Sequence, residues 1–261
     1  MSKRNNFFGS KSGLTARTLA FLAATGITDT TIANALNTMD IALIANGLDT
    51  KMKALYPFVG GTASTHKFNF MNAADTDAAF RLTFAGGGTH GANGWKTGVN
   101  AYADTHLSPA SVLSLNSTAL SFYSRTNANN EYDMGSATSS FDRCELASRW
   151  GDLFYLEINQ SAIGSVANTD TRGLLSCSRT ASNLTTAYRN GVSLGTSANA
   201  SATRPNVNIV LGAGNFNGTV SYYSSKQYCM FSISDGLTGA DESNFYTLIQ
   251  NLEITLGRQY P

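Results

Sequence analysis
Apolar and polar residues alternate over most of the chain, and recur every three or four residues only near its two ends. Period-two alternation is the mark of a strand with one buried face, and the longer period marks an amphipathic helix. The stretch Leu184–Thr196 shows the first pattern best. Asn190-Gly191 sits at its centre, and these two residue types tolerate the positive φ that a type I′ turn demands. A two-residue loop sets Arg189 opposite Val192, Tyr188 opposite Ser193 and Ala187 opposite Leu194. Ala187, Val192 and Leu194 then share a dry face, which requires a second layer to cover it.

Further alternating runs predict strands at Thr65–Phe70, Ala79–Phe84, Ala119–Thr126, Leu153–Ile158, Gly173–Ser178, Val207–Leu211 and Tyr228–Ile233. Turn-rich segments separate many of them, including Asn127–Asn130, Asn159–Ser161, Arg179–Asn183 and Gly212–Gly218. Many short strands with turn signals every ~8–12 residues indicate an all-β sandwich. The stretch from Gly86 to Trp95 is too rich in glycine for regular structure and reads as a loop. It lacks the Lys-Ser/Thr ending and the strand-to-helix frame of a phosphate loop.

Helical spacing governs Thr28–Tyr56. Thr28 or Asp29 caps its start, Ile32, Leu36, Met39 and Leu43 form one stripe, and Gly47 stops it. Asp49–Tyr56 reads as a second short helix ending at Pro57. Near the other end, Thr238 and Asp241 form a capping box. Phe245, Leu248, Ile249, Leu252 and Leu256 make the stripe of a final helix that Gly257 ends. The implied divisions are an arm at 1–13, a helical segment at 14–58 and a β domain at 59–261.

Composition sharpens this picture in two ways. Of 261 residues, 42% are hydrophobic and only 13% charged, so Ser, Thr, Asn and Gly must supply the polar surface. That charge share is about half the usual one. A net charge of +1 gives no general pull on nucleic acid or anionic lipid, so neither is expected as a partner. Cys144, Cys177 and Cys229 are too few and too widely spaced for a disulfide framework or a zinc site, and read as buried thiols of a protein made in a reducing cytosol. No apolar run reaches the ~18 residues of a membrane span. Leu19–Ala24 follows Arg17 but is short and starts late for a signal peptide.

The first thirteen residues combine Lys3, Arg4 and Lys11 with the adjacent pair Phe7-Phe8. An arm that orders on docking to a partner fits this pairing, with Arg4, Phe7 and Phe8 as assembly contacts.

Catalytic chemistry finds little support. Glycosidases need two carboxylates flanking the bond. Leu156-Glu157-Ile158-Asn159-Gln160 offers one, and Asp142 and Glu145 lack strand-face spacing with each other. His66, His90 and His106 are scattered; His66 reads as a strand surface residue. The expectation is a non-enzyme. For sugar stacking, Trp95 beside Asn93 and Lys96 is the favoured platform, Tyr222-Tyr223 and Phe216 mark a second aromatic loop, and Trp150 is assigned to the core.

Three pieces resemble the concanavalin A-like, laminin G-type jelly roll. They are the hairpin Ala187–Leu194, the strand Val207–Gly212, and the closing strand Tyr228–Leu237 that leads into Thr238–Tyr246. The resemblance spans about Thr65–Leu256. It implies a mainly β jelly-roll sandwich with a small N-terminal helical segment and a C-terminal helix. Lectin and laminin G relatives often bind Ca2+ through loop carboxylates, so Asp133, Asp170 and Asp235 become candidate ligands; no other cofactor is implied. A second resemblance lies in Gly47–Asn69 (GLDTKMKALYPFVGGTASTHKFN), Ser121–Thr126 and Leu256–Gln259. These words are similar to virion proteins of tailed bacteriophages infecting Bacteroidota, the crAss-like group among them. The resemblance implies a capsid- or tail-associated structural protein, made in the bacterial cytoplasm and carried on the virion. Its partners would be other virion proteins, further copies of itself and a host-surface glycan. The alternative function is a glycan-binding receptor-recognition module, and after it a polysaccharide hydrolase.

Overall fold
The computed structural model describes residues 13–260. The arm contacts Arg4, Phe7 and Phe8 lie outside that range. Two β-sheets stack face to face, and three helices lie against the outer side of one of them.

The first sheet has eight strands. From one edge it runs Val192–Ser197, Leu184–Arg189, Gly173–Ala181, Thr118–Ser124, Gln227–Ser234, Gly94–Lys96 and Thr89–Gly91. Met52–Tyr56 pairs with the far half of Gln227–Ser234. Asn190 and Gly191 adopt φ of 51° and 74°, as the type I′ turn requires. Arg189 faces Val192 and Tyr188 faces Ser193, but Ala187 faces Gly195, because a bulge displaces Leu194.

The central strands of this sheet are buried on both faces, so alternation there separates two cores and not core from solvent. The edge strand Val192–Ser197 is open instead, and Val192, expected on a dry face, is exposed. Leu120, Phe122, Phe231 and Ile233 point into the inter-sheet core, whereas Ala119, Tyr123, Cys229 and Met230 point to the helices. Helix α1 spans Ala16–Thr25, α2 Thr30–Ala45 and α3 Gly239–Thr255. Asp29 caps α2 by accepting from the Thr31 and Ile32 amides, and Thr238 with Asp241 forms the expected capping box on α3. The Leu36, Met39 and Leu43 stripe and the Phe245, Leu248, Ile249 and Leu252 stripe meet the same apolar layer. None of the helices is long and apolar enough to cross a membrane, among the described residues.

The second sheet runs Ser165–Ala167, Leu153–Gln160, Arg143–Trp150, Met134–Ala137, Val210–Leu211, Tyr102–Asp104 and Thr83–Ala85. The short strands Gly214–Phe216 and Thr219–Ser221 attach beside Met134–Ala137. The result is the mainly β sandwich with a C-terminal helix that the alternation implies.

Leu19–Ala24 belongs to α1, whose Phe21 is buried against Phe70. Several local expectations are corrected. Asp49–Tyr56 is not a helix: Met52–Tyr56 is a strand whose Ala54 and Tyr56 face one core and whose Met52 and Leu55 face the other. Thr65–Phe70 is not a strand, since Thr62 caps a single turn at Ala63–His66. Ala79–Phe84 is broken by Phe80, which takes φ 59°, and its strand starts only at Thr83. The three cysteines are buried and unpaired.

Candidate functional site
The expected platform, Trp95, is 1% exposed. Its indole lies between Phe58, Phe84, His90 and Tyr228 in the core. One glycine of the run, Gly88, makes room for the ring, while Gly86 and Gly94 let the backbone pass close to Asn100 and to Tyr228. A Cβ on Gly88 would stand 2.3 Å from Trp95 Nε1. Part of that run is a hairpin, Thr89–Gly91 with Gly94–Lys96, and Asn93 is exposed in its turn. His66 is buried as well, with its Nδ1 2.9 Å from that of His90. Burial, then His90 and Arg258, lowers the His66 pKa to about 3, which keeps the ring neutral.

The three calcium candidates already have protein cations as partners. Asp133 is buried and accepts from Lys226 Nζ at 2.6 Å. Asp170 holds Arg172 at 2.9 Å and Arg189 at 2.6 Å, and Asp235 holds Lys53 at 2.7 Å. The described residues contain no cluster of three or more His, Cys, Asp or Glu suited to a metal ion.

A different constellation stands out on the outer face of the second sheet. Strands Arg143–Trp150 and Leu153–Gln160 form a hairpin across Gly151-Asp152, which adopt φ of 57° and 63°. Cys144, Leu146, Leu156 and Ile158 point into the inter-sheet core, so Arg143, Glu145, Ala147, Tyr155 and Glu157 point away from it. Glu145 lies directly opposite Glu157. The neighbouring strand contributes Gly135 beside Glu145; a Cβ there would come within 2.5 Å of the Glu145 Cα.

The two carboxylates are poorly served. Arg143 Nε is 3.7 Å from Glu145 and 3.5 Å from Glu157, while its Nη1 donates to Ser161 O at 3.0 Å. Both Glu145 oxygens and Glu157 Oε2 have no hydrogen-bond partner despite burial. Burial, aided by Glu157, raises the Glu145 pKa well above the carboxylate range. Burial also raises Glu157, to about 7, against the pull of Arg143. Tyr132 above them is raised by burial and then by both glutamates. Unfilled buried acceptors are costly to a fold and uncommon, so their presence asks for an explanation.

Aromatic rings surround this floor. Trp150 meets Tyr132 at 5.8 Å and Tyr222 at 5.3 Å between centroids, and Phe216 meets the same two tyrosines at 5.4 and 5.6 Å. Tyr222 is 53% exposed, and Phe141, also exposed, carries the Arg143 guanidinium over its ring at 5.2 Å. Trp150 is half-buried here and not a core residue. Tyr223 turns away, stacking on Tyr102 and donating to Val220 O. Two adjoining clefts open on this surface. One of about 390 Å³ is walled by Tyr132, Phe141, Trp150, Phe216 and Tyr222, one of about 180 Å³ reaches Glu157, and the Arg143 side chain lines both.

Thus of the expected sugar-stacking residues Tyr222 and Phe216 join this site, and Tyr223, Trp95 and Asn93 do not. Asn93 and Trp95 belong to the other sheet. Along the sequence Glu145 is weighed against Asp142, and its actual partner, Glu157, is missed because that partner is across a turn and not on its own strand. Gly151-Asp152 between two alternating runs was the available signal.

A larger cleft of about 640 Å³ lies between the α1–α2 turn, Gly60-Gly61 and the end of α3. No residue of its lining carries a buried polar side-chain atom left without a partner.

No protein-family model matches the chain, and no curated protein matches it. Solved structures do resemble it in fold. Domain 4 of AbnA, a GH43 extracellular arabinanase from Geobacillus stearothermophilus solved with arabinotriose, aligns at a TM-score of 0.52 and 15% identity, over 75% of this chain and 98% of that domain. A point mutant of HCR/D aligns at 0.51 and 12% identity, over 76% of this chain and 52% of its own. The binding domain of botulinum neurotoxin serotype D aligns at 0.49, a likeness too weak to carry an argument. At these identities the likeness establishes a shared β-sandwich fold.

Proposed function
We propose that the chain is a carbohydrate-binding module whose site is the aromatic-walled floor around Glu157. The carrying observation is the pair Glu145–Glu157, buried with three oxygens lacking donors, at the base of clefts walled by aromatic rings. Sugar hydroxyls supply donors, and the apolar face of a pyranose or furanose stacks on an aromatic ring. The same architecture holds arabinotriose in the solved arabinanase domain, which supports the fold's suitability but not the choice of face.

Binding and not hydrolysis is the favoured activity. Only Glu157 reaches a cleft, while Glu145 is 0% exposed behind it. A glycosidase must place both carboxylates against the bond. A glycan array followed by calorimetry tests the reading. Tyr222→Ala should weaken binding of whatever glycan the parent selects. Retained affinity in that variant, or a parent that binds nothing on a broad array, would remove it.

Carriage of this module on a phage particle, in contact with other virion proteins, is a separate proposal that rests on the sequence words Gly47–Asn69, Ser121–Thr126 and Leu256–Gln259. Immunogold labelling of particles tests it, and unlabelled particles would end it.

A further inference from the structure
We infer that the glycan of this site is acidic: the larger aromatic cleft takes a sugar ring that carries a carboxylate, and Arg143 binds that carboxylate. The inference rests on the carbohydrate reading above and names the ligand class of that same site.

The cleft of about 390 Å³ is lined by Arg143 and, among the described residues, by no acidic side chain. Apart from Ser221, its other walls are aromatic. In the cleft of about 180 Å³, Arg143 meets one acid, Glu157. The acids nearby in sequence are engaged elsewhere. Asp152 holds Arg149 at 2.6 Å, and Asp142 accepts from Ser140 Oγ at 3.1 Å.

The Arg143 guanidinium has donors to spare. Among the described residues its one hydrogen bond runs from Nη1 to Ser161 O at 3.0 Å, whereas a guanidinium carries five N–H groups. Nε stands 3.5 Å from Glu157 and 3.7 Å from Glu145, beyond ordinary hydrogen-bond length. Its contact with the Phe141 ring, 5.2 Å from Cζ to the centroid, uses no N–H group. Burial holds both glutamates toward their protonated forms, so below about pH 7 they leave the charge of Arg143 uncancelled. The side chain is only 14% exposed, so salt screens that charge weakly.

A carboxylate suits this group best. It is planar, carries one negative charge and accepts two N–H bonds from the guanidinium fork. A sugar hydroxyl brings no charge, and an amine would meet Arg143 as a like charge. With the carboxylate on Arg143, the apolar face of the same ring stacks on the aromatic wall, whose Tyr222 is exposed to receive it. The net charge of the chain is only +1, which gives no general pull on polyanions, so the preference belongs to this one residue.

The test titrates the full chain by calorimetry at about pH 6 with uronic acid oligomers, and with the same oligomers after carboxyl reduction to the neutral sugar. A glycan array carrying matched carboxylated, sulfated and neutral forms runs beside it. The expected result is about tenfold tighter binding of the carboxylated form, the effect of one added charge-assisted hydrogen bond. Arg143→Gln should bring carboxylated and neutral forms to parity. The parent comparison needs no variant, so misfolding of Arg143→Gln leaves it intact. Parity in the parent, preference for the neutral or sulfated form, or an unchanged preference in folded Arg143→Gln overturns the inference and leaves carbohydrate binding standing. Failure to bind any glycan overturns both.

Discussion

Two buried carboxylate centres lie near each other at the second sheet, Asp133 just before the strand Met134–Ala137 and Glu145 on the strand paired with it, and they are built in opposite ways. Asp133 accepts from Lys226 Nζ at 2.6 Å, Tyr228 OH at 2.8 Å, the Ser148 amide at 2.9 Å and Ser148 Oγ at 2.6 Å. Glu145, on the next strand, accepts from nothing and has only a shared, distant guanidinium. The first is a closed network in which every charge has its partner. Such a network holds two loops and two strands together and has no capacity left for a ligand. The second meets the desolvation cost by a shift toward its protonated form, since burial raises both glutamates, and a donor reaching Glu157 is what would favour ionisation there. Burial alone does not mark a functional group, and neither does an unfilled valence, which Asn159 and Glu242 also have; what distinguishes Glu157 is that it also lines a cleft.

The largest expected effects break the closed centre. Lys226→Met leaves Asp133 buried without its counter-charge, and should cost about 3–5 kcal/mol in urea denaturation. A loss below about 1 kcal/mol would erase the contrast with Glu145. Trp95→Ala should cost a similar ~3–5 kcal/mol through cavity formation, while leaving the glycan affinity of the folded fraction unchanged. An affinity loss there would return the site to the first sheet.

A smaller effect of opposite sign belongs to the open centre. Glu145 and Glu157 have folded-state pKa values raised above their unfolded ones. The folded state therefore keeps its protons longer, and stability falls as pH rises above the ordinary carboxylate range. For Glu157 the fall ends near pH 7, and for Glu242, buried in α3 and raised by that burial to about 8, it ends near pH 8. The carboxylates with lowered values, Asp75, Asp170 and Asp241, lose their contribution only under more acidic conditions. Urea midpoints should thus decline from pH 5 to pH 8. Glu145→Gln, which leaves one carboxylate to one guanidinium, should gain on the order of 2 kcal/mol at pH 8 and much less at pH 5. A destabilised variant at pH 8 would show that Glu145 has a donor after all.

The smallest effect on stability is at the rim. Tyr222→Ala should change stability by no more than about 0.5 kcal/mol, because the ring is largely exposed. Its glycan affinity should fall about tenfold, the loss of one stacking contact. Large destabilisation would make Tyr222 a packing residue and weaken the site assignment.

Much of the sandwich was legible along the chain. Asn190-Gly191, the alternation of Ala119–Thr126 and Tyr228–Ile233, and the Thr238–Asp241 cap each depend on residues close in sequence, and each keeps its form in the structure. The misread segments share a different cause. Met52–Tyr56 has apolar residues on both faces because it lies between two cores, which destroys the alternation that would mark it as a strand. Trp95 stands among glycines that suggested a loop, yet Gly88 serves to admit its ring and Gly86 and Gly94 to let backbone segments approach.

The sequence by itself determined the layers, because backbone periodicity and capping are local properties that packing then preserves. It determined the chemistry of the second sheet only as separate residues. Whether Glu157 has a carboxylate opposite it, whether Asp133 has a lysine within reach 93 positions away, and whether a tryptophan faces water or core were decided by strand register and by sheet stacking. A shift of one residue in register sends every side chain of a strand to the other face. The tertiary structure therefore selects, from among many polar residues, the few whose valences close and the few left open.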